Sequence, residues 1–169
     1  MNIVDEYLLL TISAAESAID LLRSSEGEYL REHSYQKDLH CEIKAKADRI
    51  LEELIFEHLM PTGLSILSEE RGELHGSKNS PLRFIIDPLD GTMNFVRGLG
   101  MSSISIALYS ENTPLFGVLA LYPSGDIVWG GKSLGSFLNN NPINVSSICK
   151  VDNSVLCTGF PSRFDFKDI

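Results

Sequence analysis

The run Asp87-Pro88-Leu89-Asp90-Gly91-Thr92 gathers two carboxylates, a backbone carbonyl and a hydroxyl into one short segment. It follows the apolar stretch Phe84-Ile85-Ile86, so a strand delivers Asp87 at its C-terminal end. Pro88 keeps Asp87 extended and fixes its own φ. Asp90-Gly91 turns the chain sharply, and Thr92 can open a short helix. That arrangement leaves the Gly91 and Thr92 amides free to face an anion. Asp87, Asp90 and the Leu89 carbonyl are hard oxygen donors. They suit Mg²⁺, an ion that binds few carboxylates and keeps water and substrate phosphate. Pro-x-Asp-Gly is also ordinary turn chemistry, and on composition alone a plain β-turn is the competing reading.

A second acidic cluster favours the metal. Ser68-Glu69-Glu70 follows the apolar residues 64–67, and Asp87 lies 18 residues after Glu69. Strand, exposed loop over 71–81, then strand over 83–86 reads as a hairpin-like return. Such a return can place Glu69 beside Asp87 at neighbouring strand ends. Taken alone, Glu69-Glu70 is a solvated loop edge with Arg71 as its natural partner. Only one of the two glutamates can coordinate at short range, because adjacent strand residues point opposite ways. Three or more carboxylates at one point repel strongly without a cation.

The elements that must position these groups are helical first and stranded afterwards. Residues 2–25 carry one apolar stripe: Ile3, Tyr7, Leu8, Leu10, Ala14, Ala15, Ala18, Leu21 and Leu22. Gly27 reads as its stop. Residues 29–41 are polar and aperiodic, a loop. A second helix over 42–60 buries Ile43, Ala47, Ile50, Leu51, Leu54, Ile55, Leu59 and Met60, and Pro61 and Gly63 close it. Strands follow over 64–67, 83–86, 102–109, 115–122, 127–129, 135–138, 143–146 and 155–158. Turn-forming linkers separate several of them. The order predicts an α+β fold, with two N-terminal helices packed on a mostly antiparallel sheet.

Composition bounds the function. In 169 residues, 43% are hydrophobic and 22% charged, the balance of a folded globular chain rather than a disordered one. Fourteen basic against 23 acidic side chains give a net charge of −9, which argues against a nucleic-acid partner. An acidic chain that handles anionic substrates needs cations to reconcile the charges. Cys41, Cys149 and Cys157 are odd in number and form no CxxC, so reduced thiols and a cytoplasmic setting are expected. No apolar run approaches the ~18 residues of a membrane span, and Asp5 and Glu6 leave no basic leader region. His33, His40, His58 and His75 are scattered and read as ordinary surface or half-buried residues. Cys157 reads as a core residue of a strand rather than a nucleophile. Gly130-Gly131 is a turn, because no P-loop lysine follows.

The combined motifs resemble the inositol monophosphatase family of Mg²⁺-dependent, lithium-sensitive phosphatases. Asp87-Pro88-Leu89-Asp90-Gly91-Thr92-x-Asn94-Phe95 is similar to that family's first signature, and Glu69-Glu70 to the glutamates before it. Gly117-Val118, Tyr122-Pro123 and the run Gly135-Ser136-Phe137-Leu138-Asn139 follow its weaker downstream pattern. The resemblance implies that Glu69, Asp87 and the Leu89 carbonyl hold a first Mg²⁺, and that Asp87 and Asp90 share a second. It implies that the Gly91 and Thr92 amides hold substrate phosphate and that the Thr92 hydroxyl orients the attacking water. Asp48 would lie near that water and a weaker third metal, with Lys37 nearby; Glu69 would also serve the reaction.

The chain carries Ala45 where the family usually has Thr. Its only Trp, Trp129, precedes Gly130, so the family's later Trp-Asp-x-Ala signature has no counterpart here. The implied architecture is the first half of an αβαβα layered phosphatase fold. A metal-binding domain would span 1–155, and 156–169 would open a C-terminal α/β domain. The implied activity is hydrolysis of a small phosphate monoester, inositol monophosphate or a related sugar phosphate. A 3′(2′),5′-bisphosphate nucleotidase and a non-catalytic metal-binding or dimerisation fragment are the alternatives. The expected partners are a small phosphorylated metabolite and a second copy of the chain, with no nucleic acid polymer and no membrane.

Overall fold

The computed structural model describes residues 3–33 and 46–157. The readings of Lys37, His40, Cys41, Ile43, Ala45 and the segment 158–169 fall outside that range. Helix α1 (Ile3–Arg23) buries Tyr7, Leu8, Ala14, Ala15, Ala18 and Leu22 of the expected stripe and adds Ile19, while Leu10 and Leu21 are only partly buried. Ile3, at the helix end, is 51% exposed and drops out of it. Thr11 joins the buried face instead, because its hydroxyl donates to the Tyr7 carbonyl at 2.7 Å and leaves no polar group unpaired.

Gly27 does not end that helix. α1 stops at Arg23, and helix α2 (Ser25–His33) starts at once, so residues 29–33 are helical rather than loop. Ser24 causes the break. Its Oγ donates to the Leu21 carbonyl at 2.6 Å and accepts the Glu26 and Gly27 amides at 3.2 and 3.4 Å, a side-chain cap. Glu26 and Glu28 in the first turn complement the new helix's dipole. Gly27 serves close approach: a Cβ there would lie 2.1 Å from the Leu22 carbonyl oxygen.

Helix α3 (Lys46–Leu59) buries the expected Ala47, Leu51, Ile55 and Leu59, leaves Ile50 and Leu54 partly buried, and also buries Phe56, Asp48 and Glu52. A 3₁₀ turn (Met60–Thr62) and Gly63 at φ 72° end it, and Met60 is exposed rather than core. Eight strands then form one sheet: β1 (Ser65–Ser68), β2 (Gly72–Leu74), β3 (Leu82–Asp90), β4 (Ser102–Ser110), β5 (Thr113–Tyr122), β6 (Ile127–Gly131), β7 (Gly135–Leu138) and β8 (Asn141–Pro142). Their order is β2-β1-β3-β4-β5-β6-β7-β8. Alternate residues face the core, among them Phe84, Ile86, Ile104, Ile106, Leu108, Phe116, Val118 and Ala120. α1 lies over β4 and β5, α3 lies over β3, and the two helices pack side by side. The fold is thus α+β, with its helices on a mostly antiparallel sheet.

The exception to antiparallel pairing matters most. β1 runs parallel to β3, with Ser68 opposite Ile86, and the hairpin is β1–β2 instead. The expected loop 71–81 therefore contains an edge strand. Residues 143–157 add no further strand; Val145 is 96% and Val155 91% exposed. The Ile143 amide still donates to the Ser136 carbonyl of β7 at 2.9 Å, but among the described residues no strand pairs beyond β8, and the apolar side chains that follow stay largely exposed. Cys157 is exposed here, not core.

The tight α1–α2 junction gives a stability test. Gly27→Ala should lower unfolding free energy by about 1–3 kcal/mol through the clash with Leu22. Gly117→Ala, where an added Cβ meets nothing within 4 Å, should change it by less than about 0.5 kcal/mol. Urea denaturation of both variants checks this; equal effects would contradict it.

Candidate metal centre

The parallel register sets the site. β1 ends alongside the middle of β3, running the same way, and the Glu69 amide donates to the Ile86 carbonyl at 3.2 Å, which extends the pairing by one residue. Glu69 therefore falls beside Asp87. An antiparallel return would have carried the two to opposite edges.

Asp90 arrives by a bulge. Asp87 pairs with Ser105 and Asp90 with Ser103, three steps on β3 against two on β4. Pro88 has no N–H to give the ladder, so the extra residue is accommodated there. A regular strand would turn Asp87 and Asp90 to opposite faces; the bulge brings both to one face. The Leu89 amide donates to Asp87 Oδ1 at 3.1 Å and steadies the carboxylate.

The chain then turns at Gly91, φ 77°, into the short helix α4 (Thr92–Val96). A Cβ at Gly91 would lie 2.7 Å from the Met101 carbonyl oxygen. Ser102 Oγ and the Phe95 amide both donate to the Gly91 carbonyl, at 2.9 and 3.0 Å. That oxygen shares a peptide plane with the Thr92 N–H, so gripping it fixes the N–H in the opposite direction.

Thr92 meets α3. Its Oγ1 is 3.0 Å from Asp48 Oδ1 and 2.9 Å from the Leu89 carbonyl oxygen, so one hydroxyl proton faces two acceptors. Asp48 is 4% exposed, whereas Glu69 and Asp90 are exposed and Asp87 is half-buried. Arg71 does not partner Glu69 or Glu70. Its guanidinium turns to α3, 2.7 Å from Glu52 and 2.9 Å from Glu53. Glu52 is the residue sequence reading missed. Its signal was position: it lies one helical turn after Asp48, on the same buried face.

Asp87 is raised from the usual carboxylate range to about 7. Burial contributes most, followed by the Glu69 charge, a hydrogen bond with the Glu69 carboxyl and the Asp90 charge; the Leu89 amide opposes them. Two carboxyls sharing a proton is how such a pair relieves its repulsion when no cation is near. A cation can take that proton's place. Among the described residues no three His, Cys, Asp or Glu side chains form a ready cage. The Glu69 and Asp87 carboxylates would supply only part of an oxygen shell, which suits an ion that keeps much of its water. His75 is exposed, His58 is half-buried, and neither is part of the arrangement.

Sequence and fold are both similar to those of known proteins. The sequence profile of the inositol monophosphatase family matches residues 4–165, and the chain belongs to that family. It is 36% identical over 133 residues to an inositol-1-monophosphatase from Synechocystis, covering 79% of this chain and 45% of that protein. It is 29% identical over 165 residues to a fructose-1,6-bisphosphatase/inositol-1-monophosphatase from Aquifex aeolicus, covering 96% of this chain and 61% of the other. The crystal structure of extragenic suppressor protein SuhB from Bartonella henselae superposes with a TM-score of 0.74 at 29% identity, over 85% of this chain and 55% of that one. The chain thus spans about half the length of the proteins it matches.

The raised Asp87 predicts a pH signature. Its folded value exceeds the unfolded ~3.9, so folding favours the protonated form. Stability from this group is complete below about pH 4 and falls as pH rises toward 7. Without divalent ions, Asp87→Asn should therefore gain melting temperature over wild type as pH is raised from 4 to 7. Mg²⁺ at pH 7 should raise the wild type and leave the variant unchanged. A constant difference between the two proteins across that range would contradict the assignment.

Proposed function

We propose that the protein carrying this chain is a Mg²⁺-dependent phosphatase that hydrolyses a small phosphate monoester, an inositol or sugar phosphate. The carboxyl pair Glu69–Asp87, next to the Asp48–Thr92 hydrogen bond, is the observation that carries this reading. The named relatives, two of them inositol-1-monophosphatases by name, support that choice of substrate class.

Glu69, Asp87 and the Leu89 carbonyl would hold one cation, and Asp87 with Asp90 a second. When bound, such ions lower the pKa of a coordinated water and stabilise the leaving oxygen of an in-line displacement. The remaining work belongs to the chain. The Gly91 and Thr92 amides hold phosphate oxygens, Thr92 N–H being aimed by the grip on the Gly91 carbonyl. The attacking water donates to Thr92 Oγ1, whose own proton moves toward Asp48. Burial of Asp48 keeps that acceptor fixed and screened from solvent. Cations also reconcile a chain of net charge −9 with an anionic substrate.

Release of inorganic phosphate from a panel of inositol and sugar monophosphates, with and without Mg²⁺, tests the reading. Activity should require the ion. Asp87→Asn should fall below about a tenth of wild-type kcat, and Thr92→Ala should lose about 10²-fold. Metal-independent turnover, or an Asp87→Asn variant that keeps its rate, would overturn it.

A further inference from the structure

Glu52 presents a buried charge that the proposed reaction does not use. Its side chain is fully buried on α3, four residues after Asp48. Oε1 accepts a hydrogen bond from Ser68 Oγ. Oε2 lies 2.7 Å from Arg71 Nε, an ionic contact without hydrogen-bond alignment. Arg71 is held twice more, by Glu53 at 2.9 Å and by the Phe56 ring 5.3 Å beneath its guanidinium. The Ser68 oxygen also accepts the Glu70 amide at 3.4 Å.

Burying a carboxylate for stability alone is a poor device, since an apolar side chain of similar volume does as well or better. What this one does is local. Ser68 and Arg71 bracket Glu69, and Glu52 ties both to α3. The Glu69 amide is pinned to β3 in between. The backbone is thus held before, at and after Glu69, while its side chain is left to meet Asp87. The same face of α3 holds Thr92 through Asp48. One rigid helix therefore spaces the two halves of the site, the end of β1 and the turn after β3.

We propose that Glu52 is a positioning residue that, through Ser68 and Arg71, sets the Glu69 carboxylate against Asp87 and thereby sets divalent-cation affinity. This rests on the metal-site reading above. Groups that orient metal ligands typically govern affinity by about 10–100-fold. The double variant Glu52→Leu with Arg71→Met separates this role from a structural one, because apolar packing replaces the buried pair and preserves the fold.

The test is Mg²⁺ titration of this chain by calorimetry, with melting curves, for wild type, the double variant, Ser68→Ala and Glu69→Gln. The expected result is a double variant that melts at or above the wild-type temperature, yet binds Mg²⁺ about tenfold more weakly. Ser68→Ala should weaken binding in the same direction, and it decides the question if the double variant fails to fold. Unchanged affinity in a folded variant, while Glu69→Gln loses binding, overturns the positioning role alone. Unchanged affinity in Glu69→Gln overturns the metal site, and this inference with it.

Discussion

Parallel pairing of β1 with β3 sets Glu69, one residue past the end of β1, beside Asp87 within β3. Everything chemical in the chain follows from that choice of direction. Two carboxylates so placed repel, and Asp90 adds a third negative charge. Water screens exposed charges, but Asp87 is half-buried and cannot rely on that screening. The protein answers by raising the Asp87 pKa, which favours its neutral form, and with one backbone donor, the Leu89 amide, aimed at Asp87. Both answers are partial, which leaves the pair receptive to a cation.

The surrounding structure holds this unfavourable arrangement in place. The register shift lies between Asp87 and Asp90, where Pro88 has no N–H to donate to the ladder. Gly91 closes the turn in a conformation that side chains resist, against a carbonyl that leaves no room for one. α3 presses on both sides from above, with Asp48 on Thr92 and Glu52 on Ser68. Its apolar residues Leu51, Ile55 and Leu59 anchor it in the core, so the polar contacts inherit a fixed reference. The site is built on a sheet and a helix rather than on loops, which is what precise ligand spacing requires.

Much of this was legible from residue types. The strand before Asp87, the turn at Gly91 and the short helix at Thr92 follow from apolar run, Pro and Gly in order. The stripe Tyr7 to Leu22 announced α1, and the strands at 102–109 and 115–122 were readable from their apolar runs and the turn chemistry between them. Strand direction was not legible. Periodicity is the same in parallel and antiparallel strands, and the short edge strand Gly72–Leu74 inside a polar linker hid the crossover. Glu52 was hidden because a carboxylate on a helix normally faces water; only Ser68 and Arg71, brought near by the fold, make its burial possible. Past residue 25 composition offered a stop and a loop, whereas Ser24, one side chain capping two amides, opens a second helix there. At 143–146 and 155–158 the apolar residues suggested strands, but among the described residues no strand pairs beyond β8 to take them.

The central claim is that Glu69, Asp87 and the Leu89 carbonyl form one cation site. Anomalous diffraction from crystals of this chain soaked in Mn²⁺ tests it most directly. The account predicts an anomalous peak in contact with both carboxylates and the Leu89 carbonyl oxygen, with the Glu69–Asp87 hydrogen bond broken to admit it. Saturating Mn²⁺ with no density at that edge of the sheet, and the carboxyl pair still hydrogen-bonded, would contradict it.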